Sequence, residues 1–130
     1  MSSSYRDLIA WQKAVKFVAL IYQLTMAFPK DERFGLVSQL RRAAVSIASN
    51  IAEGQGRLTP GEFRQFLGNA RGSLLEVETQ LHIAKELEFI APAQLTRVLR
   101  QSGEIGLLLN GLLNSDLNHA PKSRAVVFDV

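Results

Sequence analysis

Cysteine is absent from this chain of 130 residues, which removes disulfide frameworks, thiolate zinc sites and cysteine nucleophiles together and fits a reducing compartment. Histidine is scarce: His82 and His119 are the only two, and neither has the Glu-x-x-His spacing that a di-metal centre in a helix bundle requires. Glu78, His82 and Glu86 share one helix side at i, i+4 and i+8, the pattern of a solvated charge ladder, so no metal or other cofactor is expected. The serines lack an identifiable histidine and acid arrangement, and Gly54-Gln55-Gly56 lacks the lysine and preceding strand of a phosphate loop. These absences argue against an enzyme. A long apolar run is missing as well. The first seven residues are polar, and the apolar stretch after them is interrupted by Lys13, Lys16 and Gln23, so neither a secretory signal nor a membrane span fits. The chain reads as soluble and cytoplasmic, without a membrane partner.

What is present is helical periodicity, over a length that suits one domain with a real core. Asp7 is positioned to cap a first helix over about 7–27, with rows Leu8, Trp11, Val15, Val18, Tyr22 and Ala14, Phe17, Ile21, Leu24, ended by Phe28-Pro29. A second helix is expected over about 32–53, closed by Gly54 and Gly56 in the left-handed conformation. Thr59-Pro60-Gly61-Glu62 combines a threonine cap, a proline suited to the first helical position and a capping-box glutamate, so a third helix starts there and runs to about 88. Its seam is Phe63, Leu67, Ala70, Leu74, Val77, Leu81 and Ala84 at intervals of four and three. The fourth helix spans about 92–116 with Leu95, Val98, Ile105, Leu109 and Leu112 inward. Its Gly103, Gly106 and Gly111 each cost about 1 kcal/mol against alanine, for which close helix approach is the expected compensation. Residues 117–130 form a tail whose Ala125-Val126-Val127-Phe128 is its one strand-like stretch. Short connections between four long helices imply an all-α, antiparallel up-down-up-down four-helix bundle.

The second helix carries more contact surface than a lone bundle uses. At about 100° per residue, Leu36, Leu40, Ala43, Ala44, Ile47 and Ile51 make its core stripe, and the small Val45, Ala48 and Ala52 lie beside it. Beyond them come Gln39, Arg42, Ser46, Ser49 and Glu53. Solvated helix faces favour long Glu, Lys and Gln, whereas serine competes with the helix for backbone hydrogen bonds. The short polar side chains therefore predict a packed polar contact, against the alternative of a poor but exposed face. The third helix mirrors this with Asn69 and Glu76, beside Gln65, Gly72 and Gln80, so Arg42, Val45, Ser46, Ser49, Glu53, Asn69 and Glu76 are the candidate subunit interface. Across it Arg42 and Glu76 would form charge pairs that fix register.

Net charge is +3, the sequence pI is about 9.6, and the distribution is uneven. Residues 33–71 carry a local +4, and residues 72–90 carry −3, an asymmetry that either orients a partner or pairs neighbouring helices. Arg57, Arg64 and Arg71 recur every seven residues, placing a basic row along one edge of the third helix. Such a row either tracks phosphates, or pairs with Glu53, Glu76 or Glu78, or stays in solvent.

Tyr5-Arg6-Asp7-Leu8-Ile9-Ala10-Trp11-Gln12-Lys13-Ala14, the whole of 34–57, Gly72-Ser73-Leu74-Leu75-Glu76-Val77-Glu78-Thr79-Gln80-Leu81, and Glu104-Ile105-Gly106 with Leu109-Asn110-Gly111-Leu112 carry a family likeness. Over about residues 5–116 the chain resembles the bacterial four-helix-bundle proteins first noticed in intervening sequences of large-subunit ribosomal RNA genes. Ala48 departs from the proline usual before Ser49-Asn50-Ile51-Ala52-Glu53-Gly54, which predicts a straighter second helix. The resemblance implies a cytoplasmic bundle assembled as a ring-like homopentamer. The family is similar to the accessory variability determinant of diversity-generating retroelements, a basic pentamer that binds nucleic acid and a reverse transcriptase. Two functions follow as expectations. One is a non-enzymatic oligomeric adaptor binding RNA or other single-stranded nucleic acid through Arg57, Arg64 and Arg71. The other is a protein–protein scaffold of unknown partner with no nucleic-acid role; as partners the resemblance implies a reverse transcriptase or another protein. A small-molecule pocket between helices has no polar constellation to support it.

Overall fold

The computed structural model describes residues 4–118; the Ala125–Phe128 stretch and His119 lie outside the described residues. Four helices account for most of the described chain: α1 (Ile9–Thr25), α2 (Leu36–Gln55), α3 (Pro60–Glu86) and α4 (Pro92–Asn118), with 3-10 turns at Tyr5–Asp7 and Lys30–Glu32 and no strand among the described residues. Each helix packs on its neighbours in a cycle of four, α2 with α3 most extensively and α1 closing the ring against α4. The result is a four-helix bundle. Its fully buried centre includes Phe17, Ile21, Leu40, Ile47, Ile51, Leu67, Leu81, Ile105 and Leu109. Burying one such side chain contributes about 1.5–3 kcal/mol. Of the two apolar rows of α1, Ala14, Phe17 and Ile21 enter this core, whereas Val15 and Tyr22 of the other row stay exposed.

The helix boundaries depart from the sequence expectation where local turns intervene. Asp7 does not cap α1: it ends a 3-10 turn whose own cap is the Ser4 hydroxyl, accepting from the Arg6 N–H at 3.2 Å, and extended Leu8 precedes the helix. Helix α2 starts at Leu36 rather than near 32 because Lys30–Glu32 is already a 3-10 turn. The Glu32 carboxylate then reaches forward to accept the Leu36 N–H at 3.0 Å, satisfying one of the donors a helix start leaves open. The α3 start falls where the sequence implies: the Thr59 hydroxyl accepts the Glu62 N–H at 3.1 Å, with Pro60 in the first turn, and the Glu62 carboxylate reaches back to the Thr59 hydroxyl, at 3.3 Å.

Four glycines are used differently from expectation. Neither Gly54 nor Gly56 is left-handed, and no glycine has positive φ. Gly54 instead lets α3 approach, since a Cβ there would lie 3.0 Å from the Phe66 Cβ and 3.4 Å from the Phe63 carbonyl oxygen. The left-handed residue is Glu88, at φ 63°. It closes α3 with paired bonds, Phe89 N–H to the Ala84 carbonyl at 2.8 Å and Glu88 N–H to the Lys85 carbonyl at 2.9 Å, the Schellman arrangement usually built on glycine. In α4 only Gly106 meets a neighbour, Leu74 Cδ2 at 3.5 Å, while Gly103 and Gly111 face open space, so close approach does not explain those two.

Candidate assembly and nucleic-acid surfaces

Helices α2 and α3 meet along a polar seam beside their apolar one. The Ser46 and Ser73 hydroxyls lie 2.8 Å apart, and Asn50 Nδ2 donates to the Ser46 carbonyl at 2.8 Å and its hydroxyl at 3.0 Å. Seven residues away on each helix, Gln80 Nε2 donates to Gln39 Oε1 at 3.3 Å and to Glu76 Oε2 at 3.2 Å, with Gln80 itself buried. Ser46 thus bonds across to α3 within the chain and, half-buried, also lines the groove on the outer side of that seam. Its partner Ser73 was missed. The available signal was a matched heptad, Gln39 to Ser46 on one helix and Ser73 to Gln80 on the other.

Outward of that seam runs a groove of about 360 Å³ with Arg42 and Glu76 in its lining. No ion pair joins these two among the described residues. Val45, Ser49 and Glu53 are exposed on α2, and Asn69 is exposed on α3. The outward side of α3 adds exposed Leu75 and Ile83, with exposed Leu87 just past its end, together with Gly68 and Gly72, around which a Cβ would meet nothing within 4 Å. An exposed leucine alone needs no explanation. Several on one helix side that also carries two open glycines form a surface with little reason to face water.

The three arginines do not share one environment. Arg57 follows the end of α2 and lays its guanidinium 4.5 Å from the Phe66 ring centroid, a cation–π distance. Arg64 turns the other way around α3, donating from Nη1 to the Leu113 carbonyl of α4 at 2.9 Å. Phe66 and Arg64 are about 160° apart on the helix circumference at about 100° per residue. Arg64 is therefore partly spent on tying α3 to the last turns of α4, where positive charge also favours the carbonyl end of the helix dipole. Arg71 is half-buried, and neither it nor Arg57 has a carboxylate at ion-pair distance among the described residues. On α4, Arg97 and Arg100 are exposed cations that the seven-residue spacing on α3 did not point to.

The acidic ladder is not simply solvated. Glu78 is half-buried and its Oε2 lies 2.5 Å from the fully buried Ser102 hydroxyl of α4, while Glu86 pairs with Lys85 at 3.2 Å. Among the described residues, no group of three or more His, Cys, Asp or Glu is placed to hold a metal ion, and no helix is long and apolar enough to cross a membrane.

A crystal structure at 1.70 Å of a protein with unknown function, from the S23 ribosomal protein family of Bacteroides thetaiotaomicron VPI-5482, is similar with a TM-score of 0.76. It is 23% identical, over 82% of this chain and 96% of that one, so the likeness is one of fold. A comparison with curated proteins gives no match. Residues 6–111, which take in the polar seam, Arg57, Arg64 and Arg71, match the family described as 23S rRNA-intervening sequence protein. The chain belongs to the 23S rRNA-intervening sequence protein family.

Proposed function

We propose that this protein is a non-enzymatic cytoplasmic adaptor whose antiparallel up-down-up-down bundle assembles into a ring-like homopentamer and binds RNA through basic edges repeated around the ring. Pairings such as Gln39 with Gln80 and Ser46 with Ser73, where one number rises as the other falls, support the antiparallel reading of α2 and α3. Assembly is favoured by the outward faces of α2 and α3: Arg42 and Glu76 line one groove without an ion pair between them, with open glycines and exposed Leu75 and Ile83 alongside. The observation that carries the RNA reading is that Arg57 and Arg71 stay without carboxylate partners in a chain of net positive charge. Repetition in a ring multiplies a weak patch into an avid one.

The test is binding of a structured RNA across a salt series, for the native chain and an Arg57→Ala/Arg71→Ala variant. Each phosphate that is no longer neutralised should reduce the slope of log affinity against log salt by about 0.7–0.9. Absence of binding at low salt, or an unchanged slope in the variant, rejects the RNA reading. Arg64 is left intact, because removing it also removes the hydrogen bond to Leu113. Exposed Leu75, Ile83 and Leu87 favour one second reading, a scaffold that docks another protein with no nucleic-acid role. A protein partner retained after thorough nuclease treatment, in the absence of RNA affinity, selects that reading.

A further inference from the structure

The turn between α1 and α2 gathers cations that no part of the bundle neutralises. Lys30, Arg33 and Arg41 line one groove of about 380 Å³, whose other walls include Met26, Phe28 and Pro29, and no carboxylate lines it. Asp31 and Glu32 belong to the same turn, but neither faces the groove, and Glu32 is occupied with the Leu36 N–H. None of the three cations has an ion-pair partner among the described residues.

Arg41 is held in place before any ligand arrives. Its Nε donates to Thr25 Oγ1 at 2.9 Å, its Nη2 donates to the Tyr22 carbonyl at 3.3 Å, and its guanidinium lies 4.4 Å from the Tyr22 ring centroid. The buried Thr25 hydroxyl spends its own proton on the Ile21 carbonyl at 2.8 Å, leaving its oxygen free to accept from Arg41. Two of the five guanidinium N–H groups are thereby used. Both protons on Nη1 and one on Nη2 remain, along the edge that grips two oxygens of a tetrahedral anion at once. Closing the end of α1 would explain Arg41 alone, but it does not explain why Lys30 and Arg33 line the same groove. The first turn of α2 contributes the apolar Val37 to the wall.

We infer that this groove is a binding site for a phosphomonoester, with Arg41 as the fixed fork, Lys30 and Arg33 as exposed charges that complete neutralisation, and Met26, Phe28 and Pro29 as the surface for the organic group. A dianion with three terminal oxygens suits three converging cations better than a carboxylate, which offers one charge and two oxygens. The site stands apart from Arg57 and Arg71 and does not rest on the RNA reading. Its ligand has two sources, a free mononucleotide or the phosphorylated end of an RNA.

The experiment titrates the full chain at low salt with inorganic phosphate, with adenosine 5′-monophosphate, and with one short RNA bearing either a 5′-phosphate or a 5′-hydroxyl. Adenosine monophosphate should bind at millimolar concentration or tighter, and Lys30→Ala/Arg33→Ala should weaken it at least about tenfold, as expected for removing two charge-assisted hydrogen bonds. These two residues are exposed and make no side-chain hydrogen bond among the described residues, so helicity and mass should not change in the variant. Arg41→Lys keeps the charge, removes the fork and should also weaken binding. A preference for the 5′-phosphorylated RNA that vanishes in the double variant assigns the site to RNA ends. Mononucleotide binding without that preference assigns it to a free phosphomonoester. No binding of phosphate or mononucleotide by the native chain, or equal binding by the double variant, overturns the proposal.

Discussion

Replacing both Gly68 and Gly72 with alanine tests the assembly reading by a change of sign. In the protomer neither added methyl meets anything within 4 Å. An exposed helical glycine is about 0.8–1.0 kcal/mol worse than alanine, so the pair should stabilise an isolated protomer by about 2 kcal/mol. For a domain of this length that corresponds to a rise in Tm of about 7 °C. If α3 packs closely against a second copy, the same methyls overfill the contact, at about 1–3 kcal/mol each. The assay pairs light scattering over a concentration series with urea unfolding at fixed concentration, since assembly makes apparent stability concentration-dependent. The expected outcome is a variant that dissociates at concentrations where the native protein stays assembled, yet unfolds at higher urea once both are dilute. A variant that gains stability and keeps its mass at every concentration refutes the assignment of this face to the subunit contact. A variant less stable even as a protomer refutes the open geometry itself.

Glu88→Gly should stabilise by about 0.5–1.5 kcal/mol in denaturant unfolding, because relief of about 1–2 kcal/mol of left-handed strain exceeds the added entropy of glycine. Glu88→Ala, which cannot relieve the strain, should show little gain, and equality of the two variants would mean that φ 63° is not the cause. Gly54→Ala should destabilise by about 1–3 kcal/mol despite better helix propensity, since the methyl would sit 3.0 Å from the Phe66 Cβ; a stabilised variant would show that α3 yields there. A double-mutant cycle on Ser46→Ala and Ser73→Ala should give a coupling near 1 kcal/mol, and additive single effects would remove their hydroxyl contact from the account.

Elements whose signals are local were legible in the sequence. Thr59-Pro60-Gly61-Glu62 places the start of α3 because its capping partners lie within four residues. Periodicity identified Leu67, Ala70, Leu74, Val77, Leu81 and Ala84, all buried. Information fails where a residue acts across the fold or against its own propensity. Glu88 gives no hint of left-handed backbone, while Gly54 and Gly56 suggest it and do not use it. The engagement of Arg64 depends on Leu113, 49 residues away, so a seven-residue spacing could not separate it from Arg57 and Arg71. Spacing likewise could not bring Arg33 and Arg41 together with Lys30, because a turn and a helix start decide what faces that groove.

The Gln39–Gln80 and Ser46–Ser73 contacts act as two pegs between two bars. A single peg fixes a point and leaves the bars free to pivot, whereas two fix a line. Sliding α2 along α3 by one turn, about 5.4 Å, would pull both pegs and drive a side chain into Gly54. The two contacts therefore fix the register of α2 against α3. Whatever rests on the outer surface of this pair meets Arg42 and Glu76 in one register, both in the lining of a single groove.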